Sequence, residues 1–412
     1  MFKVMYKNRV EIFIYIYTIV CFQFYYYVGI SDIITKLFLF GIILIMFCLC
    51  YKTIVSRCDD LLFRLMRWIL ASTIISIFSA WLFREQSLML GYRVSASLFV
   101  FLFFFYLCKK RPPLKFIENY ILVFGILYIL LWLFAFSQLP TRIFGVGDET
   151  IEGTSRGMER INFTGRLSLI LAYFLCLTRY FLTKKYIYVA AVIIFFVFIV
   201  LQLTRQLILW TALVSIYYIF KKSKKLIITC MAFVCIGYTF IGNIKLSEDS
   251  ILGSMVALTI KQNKENQYIN EEDIRITEYK YFMGDFSKNI ITDIIGNGMP
   301  HFDSSYGKSY WIRDQEKGLY LSDVGYAKMY AVNGLIGLCL YLFLFIYSLR
   351  KRIPKQLAYC KLFILFMIPA NIAASWYSTV DGQIAVSICI YLIMVYSIKK
   401  RKDEIQCNNS RL

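Results

Sequence analysis

The chain has 412 residues, of which 59% are hydrophobic and only 17% charged, and its formal net charge is +20. Soluble domains carry about a quarter of their residues as charged side chains, so this deficit excludes an ordinary water-soluble globule. The excess cations sit in short clusters between long apolar runs, which argues against a nucleic-acid surface and marks the cytoplasmic ends of membrane spans.

A helix needs about twenty residues to cross the hydrocarbon layer. On that length, apolar runs predict spans near 11–29, 35–50, 68–83, 93–108, 117–136, 166–182, 186–202, 206–220 and 226–243. After a long polar stretch, three more follow near 325–349, 362–378 and 383–398. The run after Arg9 is too long for a cleavable leader and lacks a small-residue cleavage site, so it reads as the first span. Basic clusters at 52–67, 109–115, 184–185, 221–225, 350–355 and 399–402 fall after alternate spans. The positive-inside rule then puts both termini in the cytoplasm. The predicted fold is an all-α, polytopic membrane bundle of about twelve transmembrane helices with one large extracytoplasmic loop containing short helices. Residues 1–243 hold the first nine spans and an outer loop near 137–165. Residues 244–324 form the large loop, 325–398 the last three spans, and 399–412 a cytoplasmic tail. The chain has no visible internal repeat, which weighs against transporter folds built from two similar halves. None of the twelve cysteines lies in the long polar loops, and no metal-ligand spacing is visible, so no cofactor is expected.

The loop at 244–324 holds more carboxylates than cations and is too long to be a mere connector. Its run Ile274-Arg275-Ile276-Thr277-Glu278-Tyr279-Lys280-Tyr281-Phe282-Met283 is amphipathic. That pattern predicts a helix lying on the membrane surface or capping the bundle.

Arg205 stands in a turn between two apolar runs with no room for a loop. A charge at that depth needs a partner or a function. Its guanidinium has the fork geometry to hold phosphate oxygens, or it snorkels to the surface as an anchor. The first outer loop adds Arg142, Arg156, Arg160 and Arg166 among several glycines, as an anion site or as interfacial anchors. His301, the single histidine, is a candidate general base or an ordinary loop residue. Asp323, just before an apolar span, is a second candidate base or a helix N-cap. Arg275 and Arg313 would suit a diphosphate or a sugar, among tyrosines and a tryptophan that suit carbohydrate and the membrane interface equally. No nucleotide-binding glycine motif or HExxH occurs on a plausible element, so a reaction would draw on a preactivated donor.

Three local patterns carry a resemblance: Thr204-Arg205-Gln206 at a tight outer turn, Gly296-Asn297-Gly298, and Ser322-Asp323-Val324-Gly325-Tyr326 followed by Asn333-Gly334-Leu335-Ile336-Gly337. With the span pattern, they make the chain resemble the Wzy-type O-antigen polymerases of the O-antigen polymerase and ligase superfamily. The resemblance implies a GT-C-like enzyme of the bacterial inner membrane. Such an enzyme joins oligosaccharide repeat units carried on undecaprenyl diphosphate at the periplasmic face, without metal or nucleotide. It moves the growing chain from its lipid carrier onto the nonreducing end of a new unit, often beside a chain-length regulator. Carried onto this chain, Arg205, Arg160, Arg166 and Arg275 would bind the diphosphate. His301 or Asp323 would be the base, and Arg313, Tyr326 and Asn297 would meet sugar.

Similar ligases carry a histidine close before the span that follows the large loop. Here that position reads Ser322-Asp323, which favours polymerase over ligase. A flippase for lipid-linked oligosaccharide is the alternative from another class, and the long loop argues against it.

Overall fold

In a computed structural model that describes residues 2–24, 32–137, 161, 163–202, 204–223 and 274–397, every regular element is helical. Among the described residues up to 223 there are nine α-helices: α1 (Phe2–Phe22), α2 (Asp32–Val55), α3 (Leu61–Arg84), α4 (Leu88–Ser95), α5 (Leu102–Lys110), α6 (Leu114–Ser137), α7 (Arg166–Thr183), α8 (Tyr186–Leu201) and α9 (Arg205–Lys222). Three short ones follow: α10 (Ile274–Lys280), α11 (Ile290–Ile295) and α12 (Ser305–Lys317). The chain returns to the bundle in α13 (Gly325–Arg350), α14 (Ala358–Ala370) and α15 (Val380–Val395). The span expected at 226–243 and the loop residues 244–273 lie outside the described residues.

Six of the described stretches are long and apolar enough to cross a membrane: Ile34–Val55, Leu61–Arg84, Leu88–Lys110, Leu114–Ser137, Arg166–Thr183 and Gly325–Arg350. Tyr186–Leu201 and Val380–Val395 are apolar but shorter. A helix that is hydrophobic all round either faces lipid or is wrapped by its neighbours. α2 shows the first case, with Leu37, Phe38, Leu44, Ile45 and Phe47 exposed. α7 and α15 show the second: every residue of 167–178 and of 381–393 is buried. These two inner helices pack on each other, and α5, α6, α8 and α14 close around one or both.

Cross-links define the two ends of the bundle. At one end, Arg179 of α7 pairs with Glu118 of α6. Lys351 Nζ reaches Asp60 Oδ2 at 3.0 Å, beside the carboxylate oxygen that caps α3 by accepting from Leu62 N. Lys361 Nζ donates to the Leu349 carbonyl, in the last turn of α13, at 2.7 Å. Lysines there satisfy carbonyls that a helix terminus leaves open. α7, α9, α13 and α15 all begin at the opposite end.

Two expected spans depart from a plain α-helix. The run at 93–108 lies within the continuous helical stretch Leu88–Lys110, whose middle, Ala96–Phe101, winds as a 3-10 helix between α4 and α5. The run at 362–378 stops at Ala370, because Pro369 cannot continue the ladder and Asn371 takes over its hydrogen bonds. Asn371 Nδ2 donates to Met367 O at 2.7 Å, and its Oδ1 accepts from Tyr377 N at 2.9 Å. Residues 371–379 thus form a turn at the bundle end, with one 3-10 turn at Trp376–Ser378, rather than more α-helix.

α13 is also broken, at Gly334 with φ 71° and ψ −177°. The break releases carbonyls that a continuous helix would use, and each needs another donor. Asn297 N donates to Ala331 O at 2.9 Å and Gly298 N to Val332 O at 3.0 Å. The Gly-Asn-Gly run and the Asn-Gly-Leu-Ile-Gly run are therefore one structural joint. Side chains of α3 complete it: Ser79 Oγ donates to Gly296 O, and Arg84 Nε and Nη2 donate to Asn297 Oδ1 at 3.0 and 2.5 Å. The Arg84 guanidinium also donates to Phe286 O and lies 5.3 Å from the Phe286 ring and 5.1 Å from that of Tyr306. Lysine cannot reproduce that planar fork. Arg84→Lys is expected to lower stability by roughly 2 kcal/mol, read as a fall in the melting temperature of the detergent-solubilised protein.

The amphipathic run at 274–283 is helical and caps the bundle. α10 continues through a π-turn, Tyr281–Asp285, and buries Phe282 and Phe286 with Tyr306, Leu319, Leu321 and Val324. Tyr279 Oη donates to Ile372 O at 2.7 Å, which ties this cap to the 371–379 turn.

Candidate functional site

The interrupted span creates a cavity. Arg166, Trp376, Ser378, Thr379 and Asp381 line a space of about 370 Å³ at the end where α7 and α15 begin, with Ser97 of the 3-10 segment on its far wall. The Arg166 guanidinium carbon sits 5.2 Å from the centre of the Trp376 ring, a cation–π contact that orients the cation. Arg166 Nη1 also reaches Thr204 Oγ1 at 3.5 Å. Thr204 is the residue before Arg205, so the two arginines flank one threonine. Arg205 is exposed and opens α9.

The helix starts explain how a carboxylate is tolerated beside these cations. Gly165, with φ 116°, precedes α7 and offers no capping side chain. Asp381 supplies the cap instead: its Oδ2 accepts from Gly165 N at 3.1 Å and Leu167 N at 3.0 Å, and its Oδ1 accepts from Gly382 N at 3.0 Å. Anionic charge at a helix N-terminus is offset by the aligned N–H groups, so Asp381 is occupied with α7.

Lys328 lies directly behind the cavity wall. It is 8% exposed, and its Nζ touches the hydroxyls of Ser375 at 3.3 Å and Ser378 at 3.1 Å. No carboxylate pairs with it among the described residues. Two more polar groups here are buried without a hydrogen-bond partner among the described residues: Trp376 Nε1 and the side-chain amide of Gln202. Gln202 joins the site through its carbonyl, which accepts from Thr204 Oγ1 at 3.3 Å. Buried polar groups are normally satisfied, and those left open at a cavity mark where a polar ligand makes its bonds.

The other expected residues are distributed around this centre. Arg275 is exposed one helical turn before Tyr279, on the same face of α10, and Tyr279 rests on the cavity turn. Asp323 is exposed and its Oδ1 accepts from Ser322 Oγ at 3.0 Å. Ser322 O accepts from Ser375 N at 3.0 Å, so Asp323 stands beside the same turn. The N-cap of α13 is Val324, so Asp323 is not the cap that its position suggests. Tyr326 donates its hydroxyl to Ile368 O and is half-buried. Asn297 is fully buried, with its amide oxygen on Arg84 and its nitrogen on Ser287 Oγ at 2.8 Å and Ala331 O at 3.1 Å. Tyr326 and Asn297 thus hold the scaffold with the polar atoms that a sugar would need. Arg313 falls in α12, and its side chain, like Arg142, Arg156 and Arg160, lies outside the described residues.

His301 belongs to a different cavity, lined by Lys36, Phe40, Arg93, Phe302 and Asp303. Ala96 lines this one and Ser97 the other, so the 3-10 segment is the wall between them. Gln86 fixes the His301 loop, accepting from His301 N and Ser304 Oγ, each at 2.8 Å. His301 Nδ1 accepts from Asp303 N at 3.1 Å. That bond assigns the proton of the neutral ring to Nε2, which makes the outward nitrogen a donor.

Lys328, Asp381, Trp376 and Gln202 did not stand out in the sequence. Lys328 interrupts the apolar run at 325–349, and a scan for single charges inside spans would have found it, whereas Asp381 falls between the runs at 362–378 and 383–398 and escapes such a scan. Nothing in the sequence distinguishes Trp376 or Gln202 from interfacial residues. Comparison with protein-family models and with curated proteins found no match for this chain.

Proposed function

We propose that this protein is a membrane glycosyltransferase that polymerises oligosaccharide units carried on undecaprenyl diphosphate. The observation that carries the reading is the cavity lined by Arg166, stacked on Trp376, with Lys328 behind its Ser378 wall and Arg205 beyond Thr204. Several cations gathered at one cavity whose single carboxylate, Asp381, is taken up by the backbone N–H groups of α7 suit a polyanion more than a neutral sugar. The cations at the other end of the bundle, Lys109, Lys110, Arg111, Lys184, Lys185, Lys221, Lys222, Arg350 and Arg352, support an extracytoplasmic position for the cavity. The reading takes about twelve spans in the inner membrane, both termini cytoplasmic, and 244–324 as the extracytoplasmic loop.

In this reaction an acceptor hydroxyl attacks the anomeric carbon of the donor. The bond between that carbon and the diphosphate oxygen breaks, and its electron pair leaves with the diphosphate. Arg166, Arg205 and Lys328 stabilise the charge that develops there, which is the largest contribution such a site makes. Arg275 approaches from the cap. Asp323 takes the acceptor's proton, because His301 stands in the other cavity and presents an N–H outward. Trp376, in the cavity lining, offers its Nε1 to a sugar hydroxyl.

The test is extension of a lipid-diphosphate repeat unit by purified protein in liposomes. The wild type is expected to produce a ladder of products, and Arg166→Ala to slow extension by about 10²–10³-fold at equal protein level. An undiminished ladder from Arg166→Ala overturns the assignment. Transfer only onto a lipid A core acceptor makes the protein a ligase, and movement of the lipid across the bilayer without extension makes it a flippase.

A further inference from the structure

The cavity around His301 has a second use that the transferase reading does not absorb. It measures about 450 Å³, larger than the Arg166 cavity, and lies on the other side of the 3-10 wall. Its walls are of two kinds. One side is cationic: Lys36 from the first turns of α2 and Arg93 from α4, with His301 between them. Arg93 has no ion-pair partner among the described residues. Among the described residues the carboxylate that lines the cavity is Asp303, whose Oδ2 lies 3.7 Å from His301 Nδ1. The other side is apolar, with Leu39, Phe40 and Phe302. It runs into the most lipid-like surface of the bundle, where Leu37 and Phe38 of α2 are 62% and 52% exposed. A pocket that is cationic at one end and opens along an exposed apolar helix has the polarity of an anionic amphiphile.

We propose that this cavity is a second phosphate site, which takes the headgroup phosphate of a membrane amphiphile between Arg93, Lys36 and the His301 ring, with its tail along α2. The proposal stands on this cavity alone and does not need the Arg166 cavity to bind diphosphate.

The groups around His301 supply a reporter. Its imidazole is held below the usual histidine range first by burial, then by Arg93, with Lys36 adding to the effect and Asp303 opposing it. Both cations are therefore close enough to act on the ring. An anion held between them cancels that repulsion and favours the imidazolium. Binding must accordingly raise the midpoint of His301, and acidification through that midpoint must tighten binding, because the two effects are one linkage.

The single histidine makes the measurement direct, since a ring-labelled sample gives one imidazole signal. The full-length protein is placed in phosphatidylcholine nanodiscs, and its imidazole is titrated by NMR. Two probes are compared: dihexanoyl phosphatidic acid, and inorganic phosphate at the same concentration. The amphiphile is expected to raise the midpoint by about one pH unit, a tenfold preference for the protonated ring, and inorganic phosphate to move it far less. Arg93→Ala is expected to raise the midpoint without any probe, because a repelling cation is gone, and to shrink the shift that the amphiphile produces. Arg166→Ala is expected to leave that shift intact, so failure of the transferase reading and failure of this one are separable. An equal shift with inorganic phosphate overturns the role of the apolar wall. No shift with either probe, or a full shift in Arg93→Ala, overturns the site.

Discussion

Lys328→Met is expected to leave the protein folded and to slow glycan transfer by about 10²–10³-fold, the loss typical of removing one preorganised charge from a reacting centre. The lysine is costly to the fold. Its Nζ is buried and touches only the hydroxyls of Ser375 and Ser378. An ammonium taken out of water without a counter-ion is destabilising, and an apolar side chain of similar length removes that penalty. Ser378 Oγ keeps its 2.8 Å bond to Ser375 O when the lysine is gone, while Ser375 Oγ loses the 3.3 Å bond from Nζ, a smaller cost than that of the buried ammonium. The melting temperature of Lys328→Met should therefore equal or exceed that of the wild type. Extension of the lipid-linked unit, measured on the same preparation, should collapse. A variant that is both stable and fully active would show that Lys328 serves no anion, and would leave Arg166 in the cavity and Arg205 beside it as the candidate cations.

The second large effect concerns the joint between the two glycine motifs. Gly334→Ala is expected to cost about 3 kcal/mol or more and to leave little folded protein in the membrane. The position has φ 71° and ψ −177°, a region that only glycine adopts readily. A Cβ there would also stand 2.3 Å from Ile294 O and 2.4 Å from Gly296 N, which are backbone atoms and cannot swing aside. Gly41→Ala is the control. It lies inside α2 with nothing within 4 Å of its Cβ, so it should gain about 0.5–1 kcal/mol from helix propensity. Folded yield by size-exclusion chromatography compares the two. Equal yields would mean that α13 tolerates a regular helix at 334 and that the joint with 296–298 is dispensable.

These two substitutions separate what Asn297 and Arg166 do, although both were candidate ligand contacts in the sequence. Asn297 is part of the joint that Gly334 makes necessary, with its amide held by Arg84, Ser287 and Ala331. Arg166 opens a helix, stacks on an indole and lines a cavity. A polar residue next to glycines at a bundle end reads alike in both cases. The difference lies in which partners arrive from elsewhere in the chain.

Hydrophobicity is a local property, and much of the architecture follows from it. Runs of apolar residues long enough to cross a bilayer had to become helices, since lipid offers the backbone no hydrogen bonds. The amphipathic run at 274–283 was legible as a cap for the same reason. Convergence is not local. Arg166 and Lys328 meet across one turn because α7, α13 and α15 begin at the same end, and that turn exists because Pro369 and Asn371 stop a helix that composition alone would extend to 378. His301 and Asp323, alike as candidate bases, fall to two cavities because the 3-10 segment Ala96–Phe101 comes between. Where a chain stops, breaks and packs depends on side chains supplied from hundreds of residues away, and no window along the sequence contains them.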